Sequence, residues 1–101
     1  MSLLPPLDDV KVFVTAARLE GFSAAAQELD VSPAYISKRI GLLEKTLGVK
    51  LFLRSARHVR LTVEGKIALD GSERLLDTFA QMQLEIGREQ QVPRGRIRIA
   101  T

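Results

Sequence analysis

Ser37, Lys38 and Arg39 lie within a segment, 33–47, whose apolar residues Ile36, Ile40, Leu43 and Leu47 are spaced four, three and four apart. That spacing gathers the apolar residues on one face of a helix. At about 100° per residue, Ala34, Lys38, Gly41 and Lys45 fall on the opposite side, Ser37 flanks them, and Arg39 lies nearer the edge of the apolar stripe. A short, polar, cationic helix face suits hydrogen bonding to base edges in a major groove. Lys38 can donate to the O6 and N7 acceptors of guanine; a phosphate contact is its competing reading. Ser37 and Ala34 are small enough to approach base edges, and Ala34 can sit on a thymine methyl. Tyr35 can offer its hydroxyl to phosphate or base, or be partly buried against the preceding helix. Arg39, Arg54 and Arg57 are candidates for the phosphate backbone. Ser23 and Ser32 are helix caps first, but the free N–H groups at those helix starts also favour phosphate. His58 has no acid or second histidine at catalytic spacing and reads as a neighbour of phosphate.

The charge distribution points the same way. The net charge of the 101 residues is only +3. Residues 1–32 carry Lys11 and Arg18 against Asp8, Asp9, Glu20, Glu28 and Asp30. Residues 33–60 carry Lys38, Arg39, Lys45, Lys50, Arg54, Arg57 and Arg60 against Glu44 alone. A basic block on an acidic scaffold is the footprint of a nucleic-acid binder, the alternative being a solvated basic face with no partner. There is no Gly-rich phosphate loop, no cysteine, and no histidine with a plausible partner, so an enzyme is a poor reading. No apolar run approaches the roughly 20 residues of a membrane span, and no secretion signal is visible. A cytoplasmic location is therefore expected.

These side chains need elements to hold them. Val10, Phe13, Val14 and Ala17 predict a helix from about Leu7 to Glu20, with Gly21 as its left-handed stop. Ser23 is the predicted N-cap of a second helix, and Ala24, Ala25 and Ala26 favour helix and close approach. Ser32 caps the third helix, with Pro33 at its first position, and Gly48 ends it. Residues 51–54 and 59–61 predict two short strands joined by a turn at 55–58. Two helices, a turn and a basic hairpin make a winged helix-turn-helix. Thr62 caps a fourth helix reaching about Gln90. Its stripe of Leu75, Phe79, Met82 and Ile86, with Ala68 and Ser72 earlier, is too long for so small a domain to cover. A second copy of the chain is the simplest cover, and folding back onto the first helix is the alternative. Val92-Pro93-Arg94-Gly95 breaks the helix, and 96–100 alternates like a strand.

Taken together, Phe22-Ser23-Ala24-Ala25-Ala26, Val31-Ser32, Ile36-Ser37-Lys38-Arg39-Ile40, Leu42-Leu43-Glu44, Leu47-Gly48-Val49, Leu51-Phe52-Leu53-Arg54 and Leu61-Thr62-Val63-Glu64-Gly65 resemble the N-terminal DNA-binding domain of LysR-type transcriptional regulators. The resemblance implies a mainly α fold. It comprises a winged helix-turn-helix of three helices and a two-stranded wing (1–61), a linker and dimerisation helix (62–91), and the start of an effector-binding domain (92–101). It implies sequence-specific binding of double-stranded DNA by a homodimer, with 33–47 in the major groove and the wing, 54–60, on the minor groove or backbone. Tetramers are frequent in the family. Arg57 would enter the minor groove. No cofactor is expected in this chain, because a small-molecule effector would bind only the C-terminal domain. Pro33, Tyr35 and Gly41 depart from the family's usual Gln, small or apolar, and basic residues, which leaves the operator open. The 33–40 run resembles a branch with regulators of hydroxy-dicarboxylic acid metabolism. A different class of function, a winged-helix module that docks an acidic protein, would have no need for Ser37-Lys38-Arg39 together with a basic wing.

Overall fold

The computed structural model describes residues 4–54 and 59–91. In chain order the elements are α1 (Leu7–Leu19), α2 (Phe22–Leu29), α3 (Pro33–Leu47), β1 (Phe52–Arg54), β2 (Val59–Leu61) and α4 (Val63–Gln91). The fold is mainly helical, a winged helix-turn-helix followed by a long helix, as the residue pattern predicts. The strands pair antiparallel, with Phe52 opposite Leu61, Leu53 opposite Arg60 and Arg54 opposite Val59. The predicted turn at 55–58 and the predicted strand at 96–100 lie outside the described residues, as does Arg57.

The core forms where α1, α2 and α3 meet β1. Phe13, Ile36, Ile40 and Leu51 are fully buried, and Ala25 and Ala26 let α2 approach its neighbours closely. The Phe52 ring takes edge-to-face contacts from Phe13 and Phe22, each at 5.5 Å between centroids. Such pairs contribute about 0.5–1.5 kcal/mol beyond the area they bury.

Three local expectations are corrected. Glu20, not Gly21, takes the left-handed conformation that ends α1 (φ 55°), and its N–H reaches the Ala16 carbonyl. Gly21 is extended and occupies the N-cap position of α2, with no side-chain cap; Ser23 is the second residue of the helix. Starting the helix at Phe22 brings that half-buried ring edge-to-face against Phe52, a contact of the same order as the roughly 1 kcal/mol of a serine cap. Leu47 is half exposed, because the buried side of α3 ends with Leu43 and Glu44, one turn before Gly48 closes the helix.

The start of α4 is fastened to the entry of β1. Thr62 Oγ1 accepts from the Gly65 N–H at 2.9 Å and donates to the Lys50 carbonyl at 2.6 Å, while the Thr62 N–H donates to the Leu51 carbonyl at 3.0 Å. A Cβ on Gly65 would stand 2.1 Å from that Leu51 oxygen, so only glycine permits this crossing. Further along, Ala68, Leu69 and Leu76 pack against the core, and Glu73 accepts from Arg18 of α1 at 3.0 Å. Leu75, Phe79, Met82 and Ile86 remain 41–52% exposed. Folding back therefore covers the first part of the stripe and leaves the rest open. No described helix is long and apolar enough to cross a membrane.

Candidate nucleic-acid interface

Helix α3 begins with the arrangement its sequence predicts. Ser32 Oγ accepts from the Tyr35 N–H at 3.0 Å, and Pro33 occupies the first turn. The turn before it is closed by Asp30 in the left-handed region (φ 58°), whose N–H reaches the carbonyls of Ala26 and Gln27. With Ile36, Ile40 and Leu43 buried, the helix cannot rotate without exposing its core face. Ala34, Tyr35 and Lys38 are consequently exposed, and Ser37 is half-buried. Lys38 makes no ion pair among the described residues. Ser23 is exposed near the start of α2.

The arginines are less free than the sequence suggests. Arg39 forks onto Asp9 of α1: Nε donates to Oδ1 at 2.6 Å and Nη2 to Oδ2 at 2.8 Å. Asp9 is 3% exposed, so this carboxylate is removed from water and held by one guanidinium. The hydrogen bond to Asp9 raises the Arg39 pKa further above its ordinary value, and the guanidinium stays charged at any pH the fold meets. The same guanidinium lies 6.0 Å from the centre of the Tyr35 ring, one turn earlier on α3.

Glu44, 6% exposed, is the second buried carboxylate. Its Oε2 accepts from the Leu51 N–H at 2.8 Å and the Phe52 N–H at 3.4 Å. Its Oε1 faces Lys50 Nζ at 3.7 Å and Arg54 Nη2 at 3.5 Å. Arg54 also lies over the Phe22 ring at 4.9 Å. The carboxylate thus joins the end of α3 to β1 and draws Arg54 towards the core. Of the basic block, Lys38, Lys45 and Arg60 have no acidic partner among the described residues; the block presents less uncompensated charge than its composition implies.

Both carboxylates are buried partners of the basic block that the composition hides. Asp9 stands between Leu7, Val10 and Phe13 at the start of an apolar stripe, where an acid needs a partner. Glu44 directly follows Leu43 on the buried side of α3. In each case the partner is remote in sequence, so the signal was the burial of an acid and not the identity of its cation.

Comparison with known proteins places this geometry. The family model for bacterial regulatory helix-turn-helix proteins of the lysR family matches residues 7–66. The chain is 48% identical over 99 residues to the HTH-type transcriptional regulator DmlR of Escherichia coli strain K12, covering 98% of this chain and 32% of that protein. It is 45% identical over 80 residues to the HTH-type transcriptional regulator DsdC of the same strain, covering 79% of this chain and 26% of that protein. The chain thus spans about a third or less of the length of these relatives. A BenM_DBD/catB site 1 DNA complex superposes with a TM-score of 0.82 at 29% identity, over 85% of this chain and 97% of the other. A CbnR_DBD–DNA complex gives 0.80 at 29% identity, over 85% and 99%.

Proposed function

The chain belongs to the lysR family of bacterial regulatory helix-turn-helix proteins, and on that premise we propose that it is the DNA-binding domain of a transcriptional regulator. Residues 1–61 bind double-stranded DNA and 62–91 pair two copies. Helix α3 enters the major groove and meets base edges through Ala34, Tyr35, Ser37 and Lys38. Ser32, at the N-terminus of α3, and Ser23, near that of α2, stand where backbone N–H groups favour phosphate. Arg54 and Arg57 of the wing flank the groove on the backbone and minor-groove side. Leu75, Phe79, Met82 and Ile86 form the dimer contact, and the assembly acts in the cytoplasm. The observation that carries this reading is the outer face of α3. It is small, polar and cationic over its first turns, while a buried aliphatic stripe fixes its direction.

The test is a fluorescence-anisotropy titration of a duplex selected from a random pool, against a scrambled duplex, at two salt concentrations. Preferential binding that weakens steeply with salt is expected, because each neutralised phosphate releases counterions. Equal and salt-insensitive affinities for both duplexes would refute the proposal.

A further inference from the structure

We infer that Arg39 is a positioning residue of the reading face, fastened by Asp9 and steadying Tyr35, and not a phosphate ligand. The inference rests on the DNA-binding reading above and adds a role to two residues that need not touch DNA.

The geometry supplies three links. Asp9 engages the guanidinium along the Nε and Nη2 edge, the planar two-point arrangement that only arginine makes. The carboxylate is buried at 3% exposure and its backbone is anchored in the first turn of α1, where its N–H donates to the Pro6 carbonyl at 3.0 Å. The guanidinium is thus referenced to α1, not to solvent. From that fixed point it lies 6.0 Å from the Tyr35 ring, whose exposure of 41% makes it the large side chain of the outer face near the start of α3. A fixed cation next to a half-exposed ring limits the rotamers the ring can visit. Limiting them before DNA arrives lowers the entropy lost on binding, which favours a correctly placed contact.

The charge arithmetic argues against the phosphate role. Two of the three guanidinium nitrogens already serve Asp9, whose negative charge offsets that of Arg39 in the field that DNA meets. Lys38, next in sequence, is exposed and has no acidic partner among the described residues. The uncompensated positive charge in this part of α3 is therefore that of Lys38, the residue placed at the base edges, and Arg39 contributes geometry.

The chain has one tyrosine and no tryptophan, so its intrinsic emission reports on Tyr35 alone. Steady-state anisotropy of that emission, measured on the free protein, tests the clamp without DNA. Arg39→Gln, Arg39→Lys and Asp9→Asn are each expected to lower it, the lysine variant included because a point charge cannot replace the fork. In titrations on the selected and scrambled duplexes, the same variants are expected to lose about tenfold of the affinity ratio, the size of one base contact. For Arg39→Gln the salt slope should be unchanged, because no phosphate contact is lost, whereas loss of a phosphate ligand would reduce it by about 0.9. Circular dichroism melts establish that each variant is folded at the assay temperature. An unchanged tyrosine anisotropy, an unchanged ratio or a reduced slope overturns the inference while leaving DNA binding intact. Failure of all three variants to fold would make the pair a folding element only and would overturn it as well. If the unsubstituted chain shows no preference for the selected duplex, the DNA-binding reading falls, and this inference with it.

Discussion

Lys38 and Glu44 sit six residues apart on α3 and do opposite work. Lys38 is exposed and unpaired among the described residues, so it can present its ammonium to a partner at little desolvation cost. Lys38→Ala is expected to weaken binding of the selected duplex by about 1–3 kcal/mol and to relax preference at one base position, read by anisotropy on single-substitution duplexes. Glu44 is withdrawn, and its carboxylate satisfies two backbone N–H groups at the entry to the wing. Glu44→Gln keeps one acceptor oxygen but removes the charge facing Lys50 and Arg54. A stability loss of about 1–3 kcal/mol is expected in urea denaturation, the range for weakening buried hydrogen bonds to a charged group. The outward direction of Lys38 was legible from a 3.6-residue period. The pairing of Arg39 with Asp9 was not, because 30 residues separate them and periodicity carries no information across that distance.

The elements turn on backbone positions where one residue type fits and another is tolerated. Gly65 lies where α4 crosses the Leu51 carbonyl, and any Cβ there collides with backbone that is itself hydrogen-bonded to Thr62. Gly65→Ala is expected to destabilise the fold by at least about 1–3 kcal/mol, the range for overpacking, seen as a lower thermal midpoint. Asp30 is the converse case, a non-glycine held at φ 58° between α2 and α3. Asp30→Gly removes that strain and is expected to stabilise by roughly 0.5–1 kcal/mol in the same melts, since glycine enters the left-handed region freely. Helix identities and the Ser32, Gly48 and Thr62 ends were readable from composition and caps. The α1–α2 junction was not: α2 starts at Phe22, whose ring packs on Phe52, and Ser23 falls inside the helix. The partner ring is 30 residues away in sequence, so only the folded structure shows where the helix begins.

The whole molecule is elongated, 59 × 31 × 21 Å, because the 29-residue α4 runs well beyond the small core it starts from. Its exposed stripe carries the proposal that two copies pair. Phe79→Ala is expected to weaken self-association by roughly tenfold to a hundredfold, from about 1.5–3 kcal/mol of lost aromatic burial, as measured by sedimentation equilibrium. The sequence showed that the stripe exceeded the domain's capacity to cover it. How far α1 would cover it depended on how α4 leaves the core, where the Gly65 crossing and the packing of Ala68, Leu69 and Leu76 hold it. Pairing would place two α3 helices on one duplex, with their contacts a whole number of helical turns apart unless the DNA bends. The most direct measurement is dimethyl sulfate interference on the selected duplex. Methylation at guanine N7 is expected to block binding in two patches on one face, about 10–10.5 base pairs apart or a multiple of that, with Lys38→Ala losing a guanine from each. Binding that tolerates methylation at every guanine N7 would contradict a recognition helix in the major groove.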